Sequence, residues 1–298
     1  MKVSIFWFRR DLRIEDNTAL YNALKSSNPV IPVFIFDNEI IEELDKTDSR
    51  VNFIYQRLEK INRYLAHYDS SIRVFKSSVS DAWKTLLNEY DIKDVYINED
   101  YEPYALQRDR LVSSLLELQE IKLHEYTDHV VFRPGIILKD DGMPYTVYTP
   151  FKNKWLKHFE ANLPESLPEP NYNNFIKITF SFPSLANLGL LPSKIKVKEF
   201  NLSELDNYEL TRDVPCLNAT SFLGPHLRFG TVSIRSIINK LKPAHTIFLS
   251  ELIWREFFIQ IMVHYPKVIN ENFKAKYNGI VWRNNEDEFQ VWCKGETG

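Results

Sequence analysis

Val3-Ser4-Ile5-Phe6-Trp7-Phe8 is a short, mostly apolar run that ends abruptly in Arg9-Arg10-Asp11-Leu12-Arg13-Ile14-Glu15-Asp16-Asn17. An apolar run of this length bounded by charge reads as a buried strand, and similar runs recur at residues 30–36, 72–75, 94–97 and 122–126. Between them, residues 17–25, 50–68, 80–89 and 105–120 carry helical periodicity. Strand and helix in alternation predict an α/β fold with a doubly wound parallel sheet, whose ligands sit beyond the carboxyl ends of the strands. The charged loop after the first strand falls at that position. It has no glycine, so it is neither a P-loop nor a dinucleotide fingerprint, and Asp16 or Asn17 is expected to cap the next helix.

Beyond Thr127 the periodicity fades and prolines gather, at Pro134, Pro144, Pro150, Pro164, Pro168, Pro170, Pro183 and Pro192. The chain therefore divides into an α/β domain over residues 1–127, a connector over 128–200 and a helical domain over 201–298. Asp141-Gly142 between extended arms predicts a hairpin over 136–148, and a helix should follow over 149–160. The clearest later helices are 232–241 and 244–264. Thr220-Ser221-Phe222-Leu223-Gly224-Pro225 reads as a helix-capping loop whose hydroxyls and free N–H groups are also able to receive phosphate.

A length of 298 residues suits two domains. The net charge of −3 does not announce nucleic acid, so DNA binding requires a local basic patch. Cys216 and Cys293 stand far apart without metal-ligand spacing, which argues against a disulfide framework or a zinc site. The N-terminus lacks signal-peptide character and no apolar run is long enough to span a bilayer, so a cytoplasmic, monomeric protein without a membrane partner is expected. An aromatic content of 14% is enough to stack planar ligands, although cores absorb such residues too.

Ser250-Glu251-Leu252-Ile253-Trp254-Arg255-Glu256-Phe257-Phe258 concentrates acid, indole and guanidinium on one predicted helix. Glu251, Trp254, Arg255 and Phe258 follow i, i+3, i+4, i+7 spacing and share a face. Leu252, Ile253, Phe257, Ile259, Ile261 and Met262 already supply a core-facing surface. The charged pair is then either solvated beside a core Trp or bonded inside a cavity.

Arg9-Arg10-Asp11-Leu12-Arg13, the run from Asp140 to Phe151, the Thr220–Gly230 loop and the Glu251–Phe257 segment occur in an order that resembles the photolyase/cryptochrome family, closest to class I cyclobutane pyrimidine dimer photolyases. The resemblance covers the whole chain. It implies a Rossmann-like α/β domain that can carry an antenna pigment, joined to an all-helical domain that binds FAD. Tyr208, Thr220, Ser221, Phe222, Leu223, Gly224, Phe248 and Arg255 match cofactor-binding positions. Phe248 keeps an aromatic where relatives often have Trp. Arg212 matches a contact to DNA phosphate, and Trp282, ten residues before Trp292, matches the solvent-side member of an electron-transfer chain.

Glu251 and Trp254 match the catalytic pair that receives the lesion in UV-damaged DNA, the acid bonding the flipped pyrimidines and the indole stacking on them. Relatives acting on (6-4) photoproducts usually have Gln at the position of Glu251, so cyclobutane dimers are the implied substrate. Extrusion of a damaged pair costs a few kcal/mol, and one aromatic stacking contact returns about 1–3 kcal/mol. The antenna, a folate or a deazaflavin, is not specified, because Tyr104 and Ala105 depart from the folate pattern.

The family pattern runs on past Gly298 into the residues that grip the flavin ring and two inner tryptophans. The resemblance therefore implies an incomplete helical domain, and weak FAD binding and little repair by these 298 residues alone. Its rivals are a cryptochrome-type blue-light receptor, a non-catalytic pigment- or nucleotide-binding module, and an inert fragment.

Overall fold

The computed structural model describes residues 2–297. Strands β1 (Lys2–Phe8), β2 (Val30–Asp37), β3 (Arg73–Ser77), β4 (Asp91–Asn98) and β5 (Lys122–Tyr126) form one wholly parallel sheet in the order β3-β2-β1-β4-β5. Alternation along β1 serves both faces at once. Val3, Ile5 and Trp7 join Val79, Trp83 and Val112, while Phe6 and Phe8 pack with Leu20, Leu58 and Ile61.

Helices α1 (Thr18–Leu24), α2 (Asn38–Ile41), α3 (Ser49–Leu65), α4 (Val79–Glu89) and α5 (Pro103–Glu117) make the crossovers. α1 and α3 cover one face and α4 and α5 the other. The five expected strands and four expected helices all form, with ends moved by a few residues; α5 begins early because Pro103 is preorganised for a first helical position. Asn17 caps α1 by accepting from the Leu20 N–H at 3.1 Å.

Two cores share the connector. Its first half, which includes α6 (Tyr148–Ala161), sends Phe132, Ile137, Phe151 and Trp155 into the helical core. Its second half returns Tyr172, Phe175, Leu188 and Leu190 to the sheet. The expected hairpin over 136–148 does not form. There is one bridge, Leu138 to Pro144, around a turn with Gly142 at φ +80°, and Pro144 has no N–H to carry a ladder further.

The remaining helices are α7 (Tyr208–Thr211), α8 (Leu223–Arg228), α9 (Ile234–Ile238), α10 (Thr246–His264) and α11 (Glu286–Cys293). α9 is shorter than the 232–241 expected, because Ser233 caps it by accepting from Arg235 and Ser236 and Pro243 interrupts the chain beyond it. Among the described residues no helix is long and apolar enough to cross a membrane, and no group of His, Cys, Asp and Glu could hold a metal ion.

Part of the charged loop after β1 joins the two domains, while Arg9 stays within the α/β domain. Arg9 donates to Asp109 and to the carbonyl of Asn98. Arg13 donates to Asp128 at 2.5 Å and to the Gly230 carbonyl at 3.1 Å, and Arg235 reaches the same Asp128 at 2.9 Å. Burial opposes the charge on Asp128, yet Arg13 and Arg235 hold its carboxyl well below the usual range. Gly230 is required here: at φ +59°, a Cβ would stand 2.1 Å from the Arg10 carbonyl oxygen.

Candidate functional site

α10 is apolar around most of its circumference, which buries it on most sides. Phe248, Leu252, Ile253 and Phe257 enter the helical core. Glu251 and Trp254 remain partly open, and Phe258 is 60% exposed. Arg212, just after α7, donates to Glu251 Oε1 at 2.5 Å, with the two side chains 32% and 35% exposed. The same guanidinium lies 5.6 Å over the Tyr208 ring, and Tyr208 meets Phe248 edge-on at 5.0 Å. Four of the expected site residues thus form one contiguous chain of contacts from Phe248 to Glu251.

Trp254 sits in an aromatic stack. Tyr148, at the start of α6, lies parallel to it with centroids 3.5 Å apart and planes 9° apart, and Phe258 follows at 5.4 Å and 22°. The hydroxyl of Tyr148 donates to the Ser250 carbonyl at 2.7 Å. Glu251 and Trp254 therefore emerge on one part-open wall, the acid braced by Arg212 and the indole by Tyr148.

Arg255, although it shares the i, i+4 spacing with Glu251, turns away from it. Its guanidinium donates to the carbonyls of His129 at 2.7 Å and Leu227 at 3.5 Å, binding α10 to the connector and to α8. Burial lowers its pKa to about 10. Next to it, Glu256 is buried: Oε1 accepts from Trp155 Nε1 at 2.8 Å and Phe132 N–H at 3.1 Å, and Oε2 from Val131 N–H at 2.9 Å. Burial pushes this carboxyl up to about 7, against three donors that favour its charged form. An acid inside an otherwise apolar helix was the available sign of such a hub. Nothing in the pattern singled out Tyr148.

The Thr220–Gly224 loop leads into α8. Thr220 is exposed, Ser221 Oγ accepts from the Leu223 N–H at 3.4 Å, and Phe222 adopts φ +52° beneath the Lys198 ammonium, 4.4 Å from its ring. Leu223 points into the helical core, so only its backbone is open to a ligand. Hydroxyls and N–H groups at a helix start are the donors an anionic diphosphate requires, so the loop fits the phosphate half of a dinucleotide such as FAD. Trp282 is 69% exposed and, among the described residues, stacks on no other ring.

Two cavities open at the carboxyl ends of the strands. The larger, about 720 Å³, is lined by Trp7, Phe36, Asp37, Tyr104 and Arg108 and bordered by Gly224 of α8. Tyr104 donates to Asp37 on its wall, and Arg9 and Arg108 lie 5.3 and 5.0 Å from the Trp7 ring. The smaller, about 570 Å³, is lined by Glu99, Asp109, Glu125 and Arg133.

Residues 4–171 match the DNA photolyase family, and residues 248–298 match the FAD binding domain of DNA photolyase. A deoxyribodipyrimidine photo-lyase of Halobacterium salinarum is 30% identical over 333 residues, covering 99% of this chain and 69% of the relative. One from Vibrio cholerae is 29% identical over 326 residues, with coverages of 99% and 69%. Among solved structures, an archaeal photolyase from Sulfolobus tokodaii with two FAD molecules superposes with a TM-score of 0.78 at 30% identity, covering 100% of this chain and 68% of that one. A bacterial class III photolyase from Agrobacterium tumefaciens, covering 99% of this chain and 66% of that one, gives 0.80 at 24% identity. A Synechocystis cryptochrome gives 0.79 at 20% identity, with coverages of 100% and 69%. These last two establish a common fold. The chain spans about two thirds of the length of the relatives it matches.

Proposed function

The chain belongs to the DNA photolyase family, and from that premise we propose that it serves light-driven repair of cyclobutane pyrimidine dimers in DNA, in the manner of a class I photolyase. The observation that carries this reading is the shared wall of Glu251 and Trp254, with Arg212 beside it. A flipped dimer needs a stacking surface and a hydrogen-bonding group within one side chain's reach of each other. The two stand three positions apart on α10, so successive turns supply both.

Glu251 accepts hydrogen bonds from the N–H groups of the flipped pyrimidines. Trp254 stacks on them. Arg212 contacts a flanking phosphate, and Thr220 and Ser221, with the N–H groups entering α8, receive the cofactor's diphosphate. FAD held there would supply one-electron chemistry, lending the dimer an electron that returns once the ring has split. Tyr208 and Phe248 form the aromatic edge toward that cofactor, exposed Trp282 is the point at which an external reductant would pass electrons inward, and Arg255 contributes through the connector it holds in place.

The larger cavity suits a planar antenna pigment, because half-open Tyr104 and exposed Ile40 offer apolar surface and Arg108 and Asp37 offer charge on the same wall. Blue light on the purified protein with reduced FAD and an oligonucleotide containing one dimer tests the enzyme reading. Dimer loss that falls sharply in Glu251→Gln, with flavin uptake unchanged, supports it. Bound flavin with no dimer loss in the native protein rejects repair and favours light sensing on the same fold.

A further inference from the structure

Tyr148 lies in the Asp140–Phe151 run, but no site role was expected of it, and it touches the site at two points. Its ring covers the Trp254 indole in parallel at 3.5 Å, and its hydroxyl donates at 2.7 Å to the carbonyl of Ser250. In an α-helix the carbonyl of residue 250 also accepts the N–H of residue 254. One tyrosine therefore grips Trp254 twice, by its ring and through the backbone acceptor its own N–H uses, and it touches the residue that precedes Glu251. A third contact, edge-on to Phe257 at 5.8 Å, fixes the ring from the core side.

We propose that Tyr148 is a positioning residue for lesion recognition: it holds the Trp254 indole and the turn bearing Glu251 in the orientation that a flipped dimer requires. The proposal rests on the repair reading of that pair. Its chemical content is preorganisation. An indole on a part-open wall samples several rotamers, and ordering it when the lesion arrives reduces affinity, whereas a ring already stacked carries no such cost. A tyrosine placed only to fill the core has no need to meet an exposed ring face to face. Tyr148 is itself half-buried, and its contacts run toward the open wall as much as toward the core. The neighbouring helix supplies the reason for its place, since α6 begins at Tyr148 while Phe151 and Trp155, one and two turns on, anchor that helix in the core.

Two variants separate the two grips. Tyr148→Phe removes only the hydroxyl; Tyr148→Leu removes the ring. Equilibrium binding is measured by fluorescence anisotropy for an oligonucleotide containing one dimer and for its undamaged twin, across a salt series. Tyr148→Leu is expected to reduce the preference for the dimer by about threefold to tenfold, the range an aromatic pair contributes. Affinity for undamaged DNA and its salt dependence should stay as in the native chain, which general unfolding would not allow. Tyr148→Phe should lose about twofold or less of that preference, because a ring that keeps the stack retains most of the constraint.

A folded Tyr148→Leu protein with an unchanged dimer preference overturns the proposal. Absence of any dimer preference in the native chain sinks the repair reading instead, and near-ultraviolet circular dichroism then judges Tyr148 alone. The change caused by Tyr148→Leu in the tryptophan fine structure at the red edge of the spectrum, where tyrosine does not absorb, must vanish in a Trp254→Phe background; a change that persists there means the tyrosine does not order the indole.

Discussion

Glu251 and Glu256 lie five residues apart on one helix and meet opposite fates. Glu256 is sealed into the core by three donors from α6 and the connector, whereas Glu251 keeps one guanidinium and a third of its surface in water. The difference teaches which acid is structural. A buried carboxylate whose bonds are all internal has no capacity for a substrate, while a half-exposed one with a single exchangeable partner does.

The largest expected effect tests the buried side of this contrast. Glu256→Ala leaves the N–H groups of Val131, Phe132 and Trp155 without acceptors and should destabilise the fold by roughly 3–5 kcal/mol, the range for breaking a buried charged network, read by denaturant unfolding. A loss below about 1 kcal/mol would mean that water reaches those donors.

Titration of the same group gives the next effect. The folded state holds the Glu256 proton up to about pH 7, while the unfolded chain releases it near the ordinary 4.5. Stability should therefore fall as pH rises between these values, by at most about 1.4 kcal/mol per pH unit, and level off above the window. Other groups titrate there as well, so the measured quantity is the difference between the native chain and Glu256→Gln. A difference that does not vary with pH contradicts the raised value.

On the open side, Glu251→Ala should change stability by less than about 1 kcal/mol, as for other exposed pairs, while abolishing dimer preference. A loss as large as that of Glu256→Ala would make the two acids equivalent and erase the contrast. The smallest effect belongs to Arg212→Ala, which should lower the salt dependence of DNA binding by about 0.9 in log–log slope, one phosphate's worth, whatever the sequence. An unchanged slope removes Arg212 from the DNA surface and leaves it as a partner of Glu251 only.

The same contrast explains what was legible beforehand. The strands could be read because apolar runs such as Ile5 to Phe8 are buried on both faces of a parallel sheet, and burial of that kind is written in local composition. That Glu251 and Trp254 share one helix face could be read because they sit at helical spacing within a recognisable motif. The acceptors of Arg255 could not be read: a long side chain follows its partners, and these are carbonyls of His129 and Leu227 in distant segments. The hairpin failed for a local reason overlooked in the Asp-Gly signal, the missing N–H of Pro144.

The charged loop after β1 shows the limit from the other direction. Its position beyond the sheet suggested a ligand site, and Arg9 and Arg10 do line the larger cavity, whereas the arrival of Asp128 and Gly230 from beyond the α/β domain makes Arg13 a brace to the helical part.

By itself the sequence determined the parallel α/β domain, the helical domain after it and the family, because periodicity and motif order are properties of residues near one another in the chain. Tertiary structure alone decided that Glu256 is a hub, that Arg255 bonds to the connector and α8 and that Tyr148 lies on Trp254. Each of these depends on donors, acceptors or rings about 30 to 125 residues away, and chain spacing carries no information about which distant groups folding will bring within hydrogen-bonding or stacking distance.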